Sequence, residues 1–251
     1  MTKSFYDKLA PYYHLLYGDW EEAIRSQGQG LSNLLAEFGI NKDDPVHDAA
    51  AGIGTQTIGL LQSGHCVSAS DLSAGAIARL DSELRQRRLC ARTFVSDLRT
   101  LECLRSESVR AILACDNSIP HLLSDVDILR AFQQCYRVLQ NDGMAVFSVR
   151  DYAKIERRSP DVRPYGLRID GDRRFFAVQV WEWEGEQYRL SMYLTTERND
   201  GICQTEVLRS RYYAIGMERL VELLEEAGFV AIERRDDVLF QPVILGVKRS
   251  E

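Results

Sequence analysis

The chain has 251 residues, 45% of them hydrophobic and 27% charged, and its 31 Lys plus Arg against 37 Asp plus Glu give a net charge of −6. That composition is globular and excludes disordered, collagen-like and coiled-coil chains. The acidic balance, with no basic stripe to offset it, argues against nucleic-acid and anionic-membrane partners. No apolar run approaches the roughly 20 residues of a membrane span.

The opening Met1–Asp7 lacks the apolar core of a signal peptide, so a cytoplasmic protein is expected. Strand-like and helix-like runs then alternate. Strands are expected at 46–50, 66–70, 93–95, 109–114 and 144–149. Between them, helical patterns cover 55–62 and 74–89. Another opens on the capping box Ser124-Asp125-Val126-Asp127, runs through Leu139 and stops at Asn141-Asp142-Gly143. Arg85-Gln86-Arg87-Arg88 reads as a solvated helix face. Strands spaced by helices imply right-handed βαβ units, hence an α/β, Rossmann-like, doubly wound sheet.

After Tyr152 the helical period disappears. Strand-like runs at 175–183, 188–196 and 205–213, with Gly185 and Asn199-Asp200-Gly201 as turns, predict a three-stranded antiparallel insertion. Trp181 and Trp183 alternate with Glu182 and Glu184, so an aromatic face should pack on the main domain. A helix over 216–227 and strands at 230–235 and 242–247 complete a seven-stranded sheet. The six cysteines, at 66, 90, 103, 115, 135 and 203, form no Cys-x-x-Cys, and no His stands at metal-ligand spacing. Reduced thiols and no metal site are expected.

The ligand chemistry gathers at strand ends. Gly52 and Gly54, after Asp48-Ala49-Ala50-Ala51, let backbone approach a ligand just before a helix N-terminus. A tight strand-to-helix turn would leave the same trace. Asp71 closes the second strand, 23 residues beyond Asp48, where an acid can accept both hydroxyls of a ribose. Asp97 and Asp116 close the third and fourth strands, so four successive strands deliver an acid to one edge. Together these ends point to a nucleoside-type cofactor.

These residues resemble a family. Asp48-x-x-x-Gly52-x-Gly54-Thr55, Asp71-Leu72-Ser73 and Asp97-Leu98 are similar to the successive motifs of class I S-adenosylmethionine-dependent methyltransferases. Phe5-Tyr6-Asp7-Lys8-Leu9-Ala10 resembles the opening common in that superfamily. Asp116-Asn117-Ser118-Ile119-Pro120-His121-Leu122 and Ser148-Val149-Arg150-Asp151-Tyr152 resemble the glycine/sarcosine N-methyltransferase group more specifically. Ala50 departs from the Cys or Gly usual there.

The resemblance implies S-adenosyl-L-methionine as methyl donor and S-adenosyl-L-homocysteine as product. Gly52 and Gly54 would pass under the methionine moiety, Asp71 would hold the ribose, Leu72 would pack on adenine, and Asp97 and Leu98 would meet the adenine edge. Tyr13, Ala50 and Asp116 join this cofactor set, and Arg25 would pair with the cofactor carboxylate. Asn117 and His121 would lie beside the transferring methyl, and Arg150 would grip a substrate carboxylate, unless it pairs with Asp151 or another acid. Tyr6, Tyr12, Tyr13, Tyr17, Tyr212 and Tyr213 could line a lid over a cation, although tyrosines more often serve packing.

The function implied is methyl transfer to the amine of a small amino acid such as glycine or sarcosine. Alternatives are an O- or N-methyltransferase for a larger natural product, and a cofactor-binding protein without catalysis. Asp116-Asn117-Ser118-Ile119 is not the Asp/Asn-Pro-Pro-aromatic string of nucleic-acid base methylation, and Gly52-x-Gly54 without a third glycine disfavours a nicotinamide dehydrogenase. The expected organisation is a helical arm over 1–30, a cofactor domain over 31–152 and 216–251, and an insertion over 153–215 that covers the site. The partner is a small-molecule methyl acceptor; a homodimer stays open.

Overall fold

The computed structural model describes residues 2–249. The outermost ends of the expected arm and of the last segment, Met1 and 250–251, lie outside the described residues. Helices α1 (Thr2–Leu9) and α2 (Trp20–Glu37) precede β1 (Pro45–Asp48), α3 (Thr55–Gln62), β2 (Cys66–Asp71), α4 (Ala74–Arg87) and β3 (Arg92–Val95). Then follow β4 (Val109–Ala114), α5 (Asp125–Val138), β5 (Leu139–Ser148), β6 (Asp161–Asp170), β7 (Arg173–Glu184), β8 (Gln187–Glu197), β9 (Cys203–Tyr213), α6 (Met217–Glu226), β10 (Val230–Arg235) and β11 (Val243–Val247).

Seven strands form one sheet in the order β10-β11-β5-β4-β1-β2-β3, with β11 antiparallel to both its neighbours and β1 to β5 parallel. This is the α/β arrangement expected. The strands at its centre are apolar on both sides because helices cover both faces. On β4, Ile112 and Ala114 join a core with Ile128 and Phe132 of α5 and Leu220 and Leu224 of α6. Ala111 and Leu113 point the other way, into a core with Leu31 and Leu35 of α2. Beside that second core, Ile24 of α2, Ile58 of α3 and Leu80 of α4 pack together.

The second sheet is an antiparallel meander, β6-β7-β8-β9, so it has four strands rather than the three expected. The unexpected strand, β6, carries Pro164 and Gly166, and its register with β7 shifts between them. Proline and glycine interrupt the alternating pattern by which a strand is read, and here they mark a bulge. A second difference lies in β5, which begins at Leu139 instead of Met144. Leu139 pairs with Val109 and Met144 with Ala111, so Asn141-Asp142-Gly143 forms an irregularity inside a strand. Trp181 is buried with Tyr188 in the core shared with β4, β5 and α5, while Glu184 faces outward to Arg189 and Arg211.

Capping fixes the helix starts. Asp19 accepts from Glu22 N, Ser73 from Ala76 N, and Ser124 from Asp127 N. The N-terminal arm is tied to the main sheet's helices through Asp7. Its Oδ1 accepts from Ser73 Oγ (2.6 Å) and Gly75 N (2.9 Å) at the start of α4. Arg87 is not simply solvated: it pairs with Glu21 and stands 5.4 Å over the Trp20 ring, whereas Arg85, Gln86 and Arg88 are exposed.

Candidate active site

The carboxyl ends of β1, β2, β3 and β4 converge on two adjoining cavities. The smaller, about 100 Å³, is lined by Ala50, Gly52, Asp71, Leu72, Asp97, Leu98 and His121 among others. The larger, about 640 Å³, is lined by Asp116, Asn117, Arg150, Tyr165, Gln179 and Met192 among others. Tyr6, Tyr13 and Asp116 line both and form their common wall.

The β1–α3 turn is built for close approach. Gly52 (φ +53°) and Gly54 (φ +99°) hold left-handed conformations. A Cβ on Gly52 would sit 3.6 Å from the Tyr13 ring, and one on Gly54 would collide with Leu80 at 2.3 Å. Across the turn, Asp71 accepts from Gly52 N (2.9 Å) and Ser73 N (2.8 Å), so both its oxygens are oriented by backbone. Burial pushes its carboxyl upward, and these two hydrogen bonds pull it back. Leu72 is partly exposed and Leu98 buried beside it in the smaller cavity. An oriented carboxylate, a bare glycine backbone and an apolar pair in one slot fit the diol and flat base of a nucleoside. Asp97 also lines this slot, but Arg99 grips it at 2.7 Å and holds its carboxyl below the usual range.

The tip of β4 is strained. Asp116 and Asn117 are consecutive non-glycine residues with φ of +61° and +64°. Ser148 holds them, its Oγ accepting from Asp116 N (2.8 Å) and its carbonyl from Asn117 N (3.0 Å). Tyr17 donates to Asp116 Oδ2 at 2.6 Å. The Asn117 side chain is committed within the protein: its Oδ1 accepts from Arg150 N (3.0 Å), and its Nδ2 donates to the Tyr152 hydroxyl (2.9 Å). It acts here as a clamp between the β4 and β5 tips, with no free carbonyl aimed at an amine as its neighbours now stand.

His121 lies in the smaller cavity's wall, its Nε2 2.8 Å from the Tyr6 hydroxyl and its ring 4.0 Å from that of Tyr212. Burial draws its pKa down to about 3, so the ring is neutral and suits orienting Tyr6 better than taking protons. Arg150 faces the larger cavity, its guanidinium 5.1 Å over the Trp181 ring. Among the described residues it joins no ion pair; Asp151 pairs with Arg234 and Lys154 instead. Arg25 lines neither cavity; it is exposed and paired at 2.7 Å with Glu22, which borders the larger one.

Several lining residues were beyond reach of sequence motifs. Tyr165 on β6, Gln179 on β7, Leu190 and Met192 on β8 and the 236–241 segment between β10 and β11 all border the larger cavity. They belong to strand faces and a turn, with no motif to mark them. Of the tyrosines considered for a lid, Tyr6, Tyr13, Tyr17 and Tyr212 border it, Tyr12 stacks on Phe175, and Tyr213 turns to Asp125.

A family described as a methyltransferase domain matches residues 46–143. The glycine/sarcosine N-methyltransferase of Parasynechococcus marenigrum (strain WH8102) is 30% identical over 145 residues, which are 58% of this chain and 50% of that protein. The chain thus spans about half the length of this curated relative. A crystal structure of an S-adenosylmethionine-dependent methyltransferase from Clostridium acetobutylicum superposes with a TM-score of 0.77 at 18% identity, covering 98% of this chain and 99% of that one. The sugar N-methyltransferase KedS8 of Streptoalloteichus superposes with the same TM-score, 0.77, at 15% identity over 90% of this chain and 88% of the other. At these identities the superpositions establish the shared fold.

Proposed function

We propose that this chain, which carries a methyltransferase domain on the class I methyltransferase fold, moves a methyl group from S-adenosylmethionine to the amine of a small amino acid of the glycine or sarcosine type. S-adenosylmethionine supplies an electrophilic methyl on a sulfonium sulfur. The oriented Asp71 carboxylate and the Gly52 backbone suit its ribose and chain, and Leu72 and Leu98 its adenine. The N-terminal arm and the insertion over 153–215 roof the acceptor, with Tyr13, Tyr17 and Tyr165 contributing ring faces and hydroxyls to the wall.

The observation that carries the acceptor class is Arg150. A guanidinium turned into a cavity without a carboxylate partner lacks the charge that would balance its desolvation. Its planar fork matches a carboxylate by two parallel hydrogen bonds. Displacement at the methyl needs little from the protein beyond alignment, so holding the acceptor by its carboxylate directs the amine. A larger amine acceptor is the second reading, favoured by the 640 Å³ volume and the apolar Leu190 and Met192 in its wall.

A methyl-acceptor panel read by mass, run with Arg150→Ala alongside, tests this. Glycine or sarcosine turnover is expected. The variant should raise acceptor KM roughly ten- to a hundredfold, the scale of a lost hydrogen bond to a charged group, while S-adenosylhomocysteine affinity holds. Turnover confined to bulky amines, with KM unmoved in the variant, would replace the amino-acid reading.

A further inference from the structure

We propose that Asp116 and Arg150 together form a receptor for a zwitterion, in which the Asp116 carboxylate takes the acceptor's ammonium and then its proton, freeing the amine lone pair for attack on the methyl, while Arg150 takes its carboxylate. The inference rests on the proposed methyl transfer to an amino acid and adds the residue that selects the amine end. Its basis is a pair of opposite charges that face one cavity and do not satisfy each other. Both line the larger cavity, and among the described residues neither has an oppositely charged side chain within 4.0 Å. Withdrawing either charge from water without a partner is unfavourable, and a ligand carrying both signs relieves the two at once.

The other acids around this cavity are already engaged. Glu22 pairs with Arg25, Asp236 with Arg234 and Asp237 with Arg235, while Asp19 caps α2. Asp116 has only neutral partners: Tyr17 donates to Oδ2 at 2.6 Å. Arg163 shares the Trp181 ring with Arg150 but is paired with Asp161. Burial pushes the Asp116 carboxyl upward, and hydrogen bonding from Tyr17, the Arg150 charge and hydrogen bonding from Gln56 work against that.

The two residues are also tied to each other through their strand ends. Asp116 stands at the β4 tip in a left-handed conformation, with its N–H on Ser148 Oγ. The next residue, Asn117, accepts the Arg150 N–H on its side-chain oxygen at 3.0 Å. One clamp thus ties the two strand ends together, with Tyr17 bonded to the Asp116 carboxylate and the Arg150 guanidinium over the Trp181 ring. A ligand with ammonium and carboxylate a few bonds apart fits such a frame; a simple amine or a simple acid satisfies half of it.

The test is calorimetric binding to the protein saturated with S-adenosylhomocysteine. Glycine, β-alanine and γ-aminobutyrate are compared with acetate, which lacks the amine, and methylamine, which lacks the acid. The wild type should bind one of the amino acids at least about tenfold tighter than acetate or methylamine. Asp116→Asn keeps the shape, tolerates the left-handed backbone and still accepts from Tyr17. It should weaken that amino acid about tenfold or more and leave acetate within about twofold. Arg150→Met should weaken amino acid and acetate together and spare methylamine.

If Asp116→Asn binds the amino acid as the wild type does, the receptor is overturned. If it loses S-adenosylhomocysteine affinity with the amino acid unaffected, Asp116 serves the cofactor and the receptor is again overturned. A wild type that takes S-adenosylhomocysteine and methylates amines but prefers no amino acid overturns the receptor alone. One that takes no S-adenosylhomocysteine overturns the methyltransferase reading beneath it.

Discussion

Asp48 lies beneath the glycine turn rather than in it. It is fully buried, its Oδ2 accepting from Thr57 Oγ1 at 2.7 Å and its Oδ1 meeting no donor among the described residues. Burial is the main force on it, with the charges of Asp71 and Asp116 adding to it, and its pKa is pushed up to about 7. The folded carboxyl therefore keeps its proton up to about pH 7, whereas the unfolded one releases it near 4. Between those values the folded state binds more protons, so this group's contribution to stability is present at low pH and fades as pH rises. Asp48→Asn cannot titrate, and its melting temperature should gain on that of the wild type as pH rises from about 4 to about 7. The buried His47 and His121, held down to about 4 and about 3, titrate alike in both proteins and cancel from the difference. A difference in melting temperature that stays flat across that range would show Asp48 ionised throughout. The sequence marks Asp48 as a strand-end acid but says nothing of its burial, which arises from the turn and α3 closing over it.

At the scale of elements, the site depends on how closely α2 and α3 cross. A Cβ on Gly28 would lie 2.5 Å from the Gly59 backbone, and one on Gly59 would lie 2.4 Å from the Ile24 carbonyl. The two helices meet backbone to backbone, which fixes the start of α3 and with it Gly52 and Gly54. Gly28→Ala should lower urea-unfolding stability by about 1–3 kcal/mol, the usual range for overpacking, and weaken S-adenosylhomocysteine binding by tilting α3. Gly18→Ala, where no atom lies within 4 Å of the added Cβ, is the control and should leave stability unchanged. An unaltered Gly28→Ala would mean that the helices separate freely. This crossing was not legible in the sequence, for periodicity reports each helix's own apolar face. Glycine in a helix reads as a weak spot until its neighbour is known. The same limit explains Arg87, whose partners Glu21 and Trp20 come from another helix, and Asp7, whose role as an anchor for α4 appears only when the arm is seen folded back.

Over the whole molecule, the candidate cofactor residues were legible because a parallel sheet sends the ends of β1 to β4 to one edge, so four acids counted along the chain become neighbours. The acceptor side was legible only at Asn117 and Arg150, because much of the remaining wall comes from β6, β7 and β8, whose residues face the cavity by strand alternation alone. Those strands share their interior with the main sheet: Phe175, Trp181, Tyr188 and Leu194 lie in one apolar cluster with Ile112, Phe132, Phe147 and Leu220. Gln187 also donates to the Leu123 carbonyl at 2.9 Å, at the entry to α5. A sheet that buries its aromatic face in another sheet's core has little to fold around by itself. The two sheets should accordingly unfold together. Of the three tryptophans, two stand in β7, so fluorescence reports chiefly on the second sheet, while far-ultraviolet dichroism at the helical band reports on α2 to α6. Their melting curves should coincide, and S-adenosylhomocysteine should shift both by the same interval, since a ligand of the folded state stabilises everything that unfolds with it. A fluorescence transition that precedes the dichroism, and that the ligand leaves in place, would make the second sheet a separately folding unit whose contacts with the acceptor cavity are made after the main domain forms.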